Sequence, residues 1–330
     1  MRTAAATFLF IIVVSACSGT ETSPDPSSTA TATPSSSTST TSPPVPTTTS
    51  TTTIAAPSTT AAPALSESDT AISLVVDDTT RVYRLYVPES VGSDPAPLVL
   101  DLHGLASSPL DQDALSGMTA AADERGIVLA QPRGKSPGPF WSAEPDTPLS
   151  AADVAFLRAL VNDAASRTAI DPARVFAMGM SNGGGMAHRL GCDAADVFAG
   201  IGPVSGAHTL DGRCDATEGV AVVAVHGTND DFVLFNGLEP LLPSIPDWAA
   251  SWATRNQCAA GPSERRVADD VVELTWTDCR DGGDVSLYVV EEGGHGWPGT
   301  PDPQRAGATS STISATELIL DFFASHPKRG

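Results

Sequence analysis

Short apolar runs and longer amphipathic stretches alternate along the chain between residues 71 and 325. Ala71 to Asp77 and Arg81 to Val87 alternate or cluster in strand fashion around a polar Asp-Thr turn, which predicts an antiparallel opening hairpin. Pro97 to Leu102 is a near-continuous apolar run, the form a strand takes when both its faces are covered. A helix is predicted near Leu115 to Arg125, a strand at Ile127 to Ala130 and a helix at Ala151 to Ser166. Arg174 to Met180 is the next strand, and a helix begins after Ser181. Further strands are predicted near Gly200 to Val204, Val220 to Val225 and Val285 to Val290, with helices near Ile245 to Asn256 and Ile313 to Ser325. Repeated strand-then-helix units imply an α/β domain with a doubly wound, mainly parallel sheet and helices on both faces. The ligand site of such a sheet lies at the carboxyl ends of its strands.

Ahead of residue 67 the pattern is different. Arg2 is followed by an apolar stretch, Thr3 to Val14, and then by Ser15, Ala16 and Cys17. This is the layout of a secretory signal, shorter than the ~20 residues needed to span a bilayer. Val14-Ser15-Ala16-Cys17 looks like a bacterial lipobox, which predicts a signal peptide over residues 1–16 and a lipidated Cys17. Residues 17–66 are almost wholly Ser, Thr, Pro and Ala and lack the apolar surface that offsets ordering entropy, so they read as a disordered tether. The catalytic domain is then expected over residues 67–330, on a protein anchored to the outer face of the cell membrane or secreted.

Of the 330 residues, 39 are Asp or Glu against 18 Lys or Arg, for a net charge of −21. A chain of that sign repels nucleic acid and has little attraction to anionic lipid, so the membrane contact expected is the lipid anchor alone and the partner a small or oligomeric ester substrate that is neutral or weakly charged. Beyond Cys17 there are four cysteines, Cys192, Cys214, Cys258 and Cys279, an even number that suggests two disulfides in an exported chain. Of the three possible pairings, Cys192 with Cys214 and Cys258 with Cys279 are favoured because each closes a short local loop. Their spacing is not that of a zinc site, and no metal or cofactor is expected.

Gly179-Met180-Ser181-Asn182-Gly183 matches the G-x-S-x-G nucleophile elbow and stands after an apolar strand and before a helix, where that motif belongs. Gly134-Lys135-Ser136-Pro137-Gly138 matches the same pattern. An acyl-transfer serine, however, uses the backbone N–H of the next residue as an oxyanion donor, and Pro137 has none. Ser136 is therefore assigned to a loop, and Ser181 with the Asn182 N–H to the chemistry. The base should be a late histidine. His295, in the glycine-rich Gly293-Gly294-His295-Gly296-Trp297-Pro298-Gly299, follows the last predicted strand, whereas His188 and His326 fall on helices and His208 reads as structural. The acid should follow an intermediate strand, and Val220 to Val225 runs into His226-Gly227-Thr228-Asn229-Asp230-Asp231, where two aspartates compete. The second oxyanion donor is expected from the Leu105 N–H in Leu102-His103-Gly104-Leu105, with His103 and His226 bracing their loops.

Taken together, the Leu-His-Gly segment, Gly-Met-Ser-Asn-Gly-Gly, His-Gly-Thr-Asn-Asp and Gly-Gly-His-Gly-Trp-Pro-Gly resemble the polyhydroxybutyrate depolymerase and feruloyl esterase group. That group also holds acetylxylan esterases and related exported lipoproteins, and the resemblance covers about Thr79 to Phe323. It implies an α/β-hydrolase fold, a serine esterase activity, the acid at Asp230 and the base at His295. Phe140 and Trp141 lie where members of the family often carry an aromatic near the acyl pocket, although both also read as ordinary packing residues. Trp297 is a third pocket candidate. The chain lacks an appended polymer-binding module, which points to soluble esters. A peptidase on the same fold and a non-catalytic surface-binding lipoprotein are the rival readings.

Overall fold

The computed structural model describes residues 71–135, 138–206, 214, 216–238, 242–300 and 309–329. The predicted signal, Cys17, the tether, Ser136 and His208 lie outside the described residues.

One ten-stranded sheet organises the domain. Its strands are β1 (Ala71–Val76), β2 (Thr79–Tyr86), β3 (Ala96–Leu102), β4 (Val128–Pro132), β5 (Ile170–Met180), β6 (Gly200–Val204), β7 (Ala221–Gly227), β8 (Ala260–Ala268), β9 (Val271–Thr277) and β10 (Val285–Val290). They lie in the order β1-β2-β4-β3-β5-β6-β7-β10-β9-β8. Every pairing from β4 across to β10 is parallel, and an antiparallel hairpin closes each side: β1 with β2, and β8 with β9. The burial of each strand follows from its place. β4, β6 and β7 are buried at every residue, whereas β1 alternates between exposed and half-buried.

Helices cover both faces: α1 (Pro109–Ser116), α2 (Met118–Arg125), α3 (Pro148–Arg167), α4 (Asn182–Asp193), α5 (Ile245–Arg255) and α6 (Ala315–Ser325). Successive strand residues point to opposite faces, so β3 sends Leu98, Leu100 and Leu102 into one core with α3, α4 and α5, and Val99 into a second with α2 and α6. Helix starts carry their own signals. Ser108, Thr147, Ser244 and Ser314 each cap a helix by accepting a backbone N–H, and Pro109 and Pro148 open helices where a missing N–H does no harm.

Two expectations change. The single helix predicted near Leu115 to Arg125 is two helices, because Gly117 takes a left-handed conformation (φ 68°) that ends one and starts the next. β8 was not predicted: its Ala-Gly-Pro-Ser-Glu-Arg-Arg-Val-Ala sequence is exposed nearly throughout and carries the proline that an edge strand tolerates. Disulfides join Cys192 to Cys214 and Cys258 to Cys279. Such bridges persist in oxidising compartments, so the domain has the chemistry of an exported chain. Among the described residues no helix is long and apolar enough to cross a membrane.

Candidate active site

Sheet register brings the functional segments to one edge. Leu102 pairs with Gly179, Met180 with Val204, Val204 with Val225, and Gly227 with Val290. The residues that follow these positions therefore emerge side by side at the carboxyl ends of β3, β5, β6, β7 and β10.

Ser181 stands at the sharp turn from β5 into α4, with φ 54° and ψ −118°. This is a costly conformation for a residue with a Cβ, held because the surroundings over-determine it. The Ser181 N–H donates to Val204 O at 2.9 Å. The flanking glycines are required by contact: a Cβ on Gly179 would lie 2.4 Å from Leu102 O, and one on Gly183 2.1 Å from the same oxygen. The end of β3 thus approaches too closely for any side chain at position 179 or 183.

Asp230 leaves the end of β7 and is buried, whereas Asp231 is exposed. Its Oδ1 accepts the Phe232 and Val233 N–H groups at 2.9 and 2.8 Å, and its Oδ2 accepts Nδ1–H of His295 at 2.8 Å. Burial pushes this carboxyl up, but the His295 hydrogen bond and charge, together with the two backbone donors, outweigh it and hold Asp230 below the usual carboxylate range. A carboxylate accepts only, so the bond fixes His295 with its proton on Nδ1 and leaves Nε2 free to take one. His226 Nε2 donates to Val233 O at 2.8 Å and lies 3.4 Å from Asp230 Oδ2. Burial lowers its pKa and keeps it neutral. The His295 loop is tied to the Ser181 side of the site by Ser205 Oγ, which donates to Gly296 O at 3.2 Å. Ser205 directly follows the Val204 that receives the Ser181 N–H. Among the described residues no hydrogen bond joins Ser181 Oγ to His295; such bonds often form only once substrate is seated.

On the other side of Ser181, a Cβ on Gly104 would stand 3.8 Å from Ser181 Cβ. The loop after β3 therefore passes directly over Ser181. Neither the Leu105 nor the Asn182 N–H donates to another protein group among the described residues, so both are available to an oxyanion. His103 is wholly buried and uses both ring nitrogens, Nδ1–H donating to Gly104 O at 2.7 Å and Nε2 accepting the Gly134 N–H at 2.9 Å. Burial pushes its pKa down, so it stays neutral.

Of the three aromatic pocket candidates, two are buried in the free protein. Trp141 is wholly buried: its Nε1–H donates to His103 O at 3.0 Å, and its backbone N–H and C=O bond the Asn182 amide at 2.7 and 2.9 Å. Trp297 lies in the core against α6, with Nε1–H on Thr316 Oγ1 at 3.0 Å. Both indoles thus fill apolar space and place their single polar atom internally rather than facing substrate. Phe140 is half-buried. Two features at the site went unforeseen. Phe232 is 79% exposed, with its ring 5.1 Å from that of His295. The Asn182 side chain pairs with a backbone 41 residues away. A large apolar residue two positions after Asp230 in a polar loop is a readable signal, whereas nothing local to Asn182 marks its partner.

No protein-family model matches the chain. It is 31% identical over 290 residues to NocK of Nocardia uniformis subsp. tsuyamanensis, a protein named as an esterase, covering 79% of this chain and 84% of NocK. It is 29% identical over 219 residues to feruloyl esterase B of Piromyces equi, and 30% over 165 residues to feruloyl esterase C of Emericella nidulans. Those alignments take in 62% and 48% of this chain, but the chain spans only 40% and 57% of the two fungal proteins. Among solved structures, an acetyl xylan esterase from Aspergillus awamori superposes with a TM-score of 0.57 at 14% identity, covering 74% of this chain and 94% of that one. A thermostable esterase gives 0.53 at 14% identity, covering 78% and 63%. At that identity these two show the fold alone, the α/β-hydrolase fold. The similarity to NocK shows more: the chain belongs to the same family of α/β-hydrolase esterases and is a carboxylic ester hydrolase.

Proposed function

We propose that the protein is an exported serine esterase that works through an acyl-enzyme, with Ser181 as nucleophile, His295 as general base and acid, and Asp230 as the group that orients His295. Ser181 Oγ attacks the ester carbonyl while His295 Nε2 takes its proton. The Leu105 and Asn182 N–H groups receive the charge that develops on the carbonyl oxygen. The alcohol departs with the proton returned by His295, and water repeats the sequence on the acyl-enzyme to release the acid. Asp230 stabilises the imidazolium without taking the proton. The observation that carries this reading is the 2.8 Å bond from His295 Nδ1 to the buried Asp230 carboxylate, formed at the same sheet edge as the strained Ser181 turn.

The substrates proposed are neutral or weakly charged esters of feruloyl, acetyl or short hydroxyalkanoate acids. The names of the relatives favour the feruloyl and acetyl groups, the motif resemblance the hydroxyalkanoates, and the net charge of −21 neutral or weakly charged substrates. The lipobox-like Val14-Ser15-Ala16-Cys17 favours anchoring through Cys17, with residues 18–66 spacing the domain from the membrane.

A fluorophosphonate probe tests the mechanism directly. It should label the native protein at Ser181, and Ser181→Ala should abolish labelling and lower hydrolysis of a small aryl ester by at least roughly 10³-fold. The thermal midpoint should hardly move. Full activity in that variant, or loss of labelling on Ser136→Ala instead, would overturn the assignment.

A further inference from the structure

The two proposed oxyanion donors sit on different segments, the Leu105 N–H on the loop after β3 and the Asn182 N–H on the first turn of α4. A transition-state oxygen needs both at fixed spacing, and nothing in the sheet register sets that spacing. A continuous set of buried hydrogen bonds does.

We propose that His103, Trp141 and the Asn182 side chain form a frame that positions the two oxyanion donors relative to each other. The inference rests on the Ser181 acyl-transfer reading above. Starting from Asn182, its amide takes the Trp141 N–H on Oδ1 at 2.7 Å and gives Nδ2–H to Trp141 O at 2.9 Å. This two-bond clasp imitates a step of β-ladder and fixes Trp141 to the residue whose own N–H faces the oxyanion. The Trp141 indole then donates to His103 O at 3.0 Å. His103 in turn donates Nδ1–H to Gly104 O at 2.7 Å. That carbonyl belongs to the same peptide unit as the Leu105 N–H. Because the peptide is planar and trans, holding its oxygen from one side aims its N–H to the other. The same bond polarises the unit and makes the Leu105 N–H a better donor.

Two further contacts close the frame: the Gly134 N–H on His103 Nε2 at 2.9 Å, and the Ala106 N–H on Pro139 O at 2.9 Å. Asn182, Trp141 and His103 are each at least nine-tenths buried, so water does not compete for these bonds. Packing alone does not account for the arrangement. A phenylalanine would supply an apolar ring of smaller volume, whereas the indole also presents one N–H to His103 O. The three are positioning residues, acting on substrate only through the donors they hold.

Trp141→Phe and Asn182→Ala test this, with kcat and KM measured on a small aryl acetate and with the affinity of an aryl boronic acid, which binds Ser181 as a tetrahedral adduct. Loss of a whole oxyanion donor lowers kcat by about 10²–10³-fold, and a misaimed donor should cost part of that. Each variant should lower kcat by about ten- to a hundredfold with KM little changed, and weaken boronate binding in proportion. The double variant should be little worse than the poorer single one, because both break one frame. A purely structural role predicts a lower unfolding midpoint with kcat and boronate affinity at parental values, and that result would overturn the proposal. Should Asn182→Ala fail to fold, Trp141→Phe, which keeps an aromatic side chain and leaves the backbone bonds to Asn182 in place, decides alone. If Ser181→Ala retained hydrolysis the acyl-transfer reading itself would fail, whereas an inactive Ser181→Ala beside a fully active Trp141→Phe would remove the frame only.

Discussion

The two sides of Ser181 are built differently. On the oxyanion side His103 and Trp141 are completely buried and every bond in the frame runs through backbone or a fixed ring. On the base side Asp230 is buried, but His295 is only half-buried, Phe232 is 79% exposed, and Asn229 bonds Glu292 at the surface. The contrast matches the work proposed for each side. Oxyanion donors help by being in place before charge develops, so any looseness is paid at the transition state. A base must reach first the serine and then the leaving group, and tolerates a softer mounting.

The sharpest break of this contrast lies in the bond that orients His295 on the base side. In Asp230→Asn the Oδ1 oxygen can still accept Phe232 and Val233 N–H, but the amide presents an N–H toward His295 Nδ1 and drives the imidazole to the wrong tautomer. We expect kcat to fall by about 10⁴-fold with little change in thermal midpoint. Kinetics on one aryl ester and a melting curve check it. An active Asp230→Asn beside an inactive Asp231→Asn would move the acid to the exposed neighbour.

Next in size is the disulfide below the base side. Cys258 and Cys279 are 21 residues apart and enclose β8 and β9, just before the strand that delivers His295. Replacing both by serine should lower unfolding free energy by about 3 kcal/mol in the loop-entropy account. Urea unfolding measures that, and fluorophosphonate labelling at 25 °C should keep its rate. An unchanged stability would show that the buried Asn256, which bonds Gly283 O and Val220 O, holds this corner unaided.

How much of this was legible in the sequence depends on what each position obeys. The parallel core was readable because strands covered on both faces are apolar throughout, as in β7, Ala-Val-Val-Ala-Val-His-Gly. β8 was not, since an edge strand exposed nearly throughout has no apolar rhythm to read. The elbow was legible because close approach of Leu102 O admits only glycine at 179 and 183. Asp230 and Asp231 were inseparable on residue chemistry, and burial of one alone distinguishes them. Trp141 and Trp297 looked like pocket residues because indoles serve cores and pockets equally. Only their buried partners, His103 O and Thr316 Oγ1, tell which.

The oxyanion side carries a pH dependence opposite in sign to the one that the depressed Asp230 carboxyl gives the base side. Asp101, two residues before His103, is completely buried, and burial raises its carboxyl to about 7 despite hydrogen bonds from Ser116, Gln112 and Gln131. Below pH ~4 the folded and unfolded chains both hold this proton and the stabilisation is fully present. Between about 4 and 7 only the folded chain holds it, so stability falls as pH rises by up to ~1.4 kcal/mol per unit. Above 7 the contribution is gone. Asp101→Asn removes this slope, and the difference between parent and variant melting curves across pH 4–8 isolates it from other carboxylates. Parallel curves would mean that Asp101 stays ionised inside the fold.

The smallest effect expected probes the exposed side of the contrast. The Phe232 ring lies 5.1 Å from the His295 ring at 47°, while its backbone N–H bonds Asp230 Oδ1 at 2.9 Å. Phe232→Ala keeps that backbone bond and removes a side chain that touches water, so stability should stay within about 0.5 kcal/mol. If the ring serves as a wall for the substrate, an aryl group laid on it gains about 1 kcal/mol, or roughly fivefold in KM. KM for a 4-nitrophenyl ester should therefore rise about fivefold in the variant, with kcat near the parental value and no change for a small alkyl acetate. If instead the ring holds His295 in place, kcat should fall equally on both substrates while KM stays fixed. The split between kcat and KM therefore decides whether the soft side of the site is soft because it meets substrate or because it steadies the base.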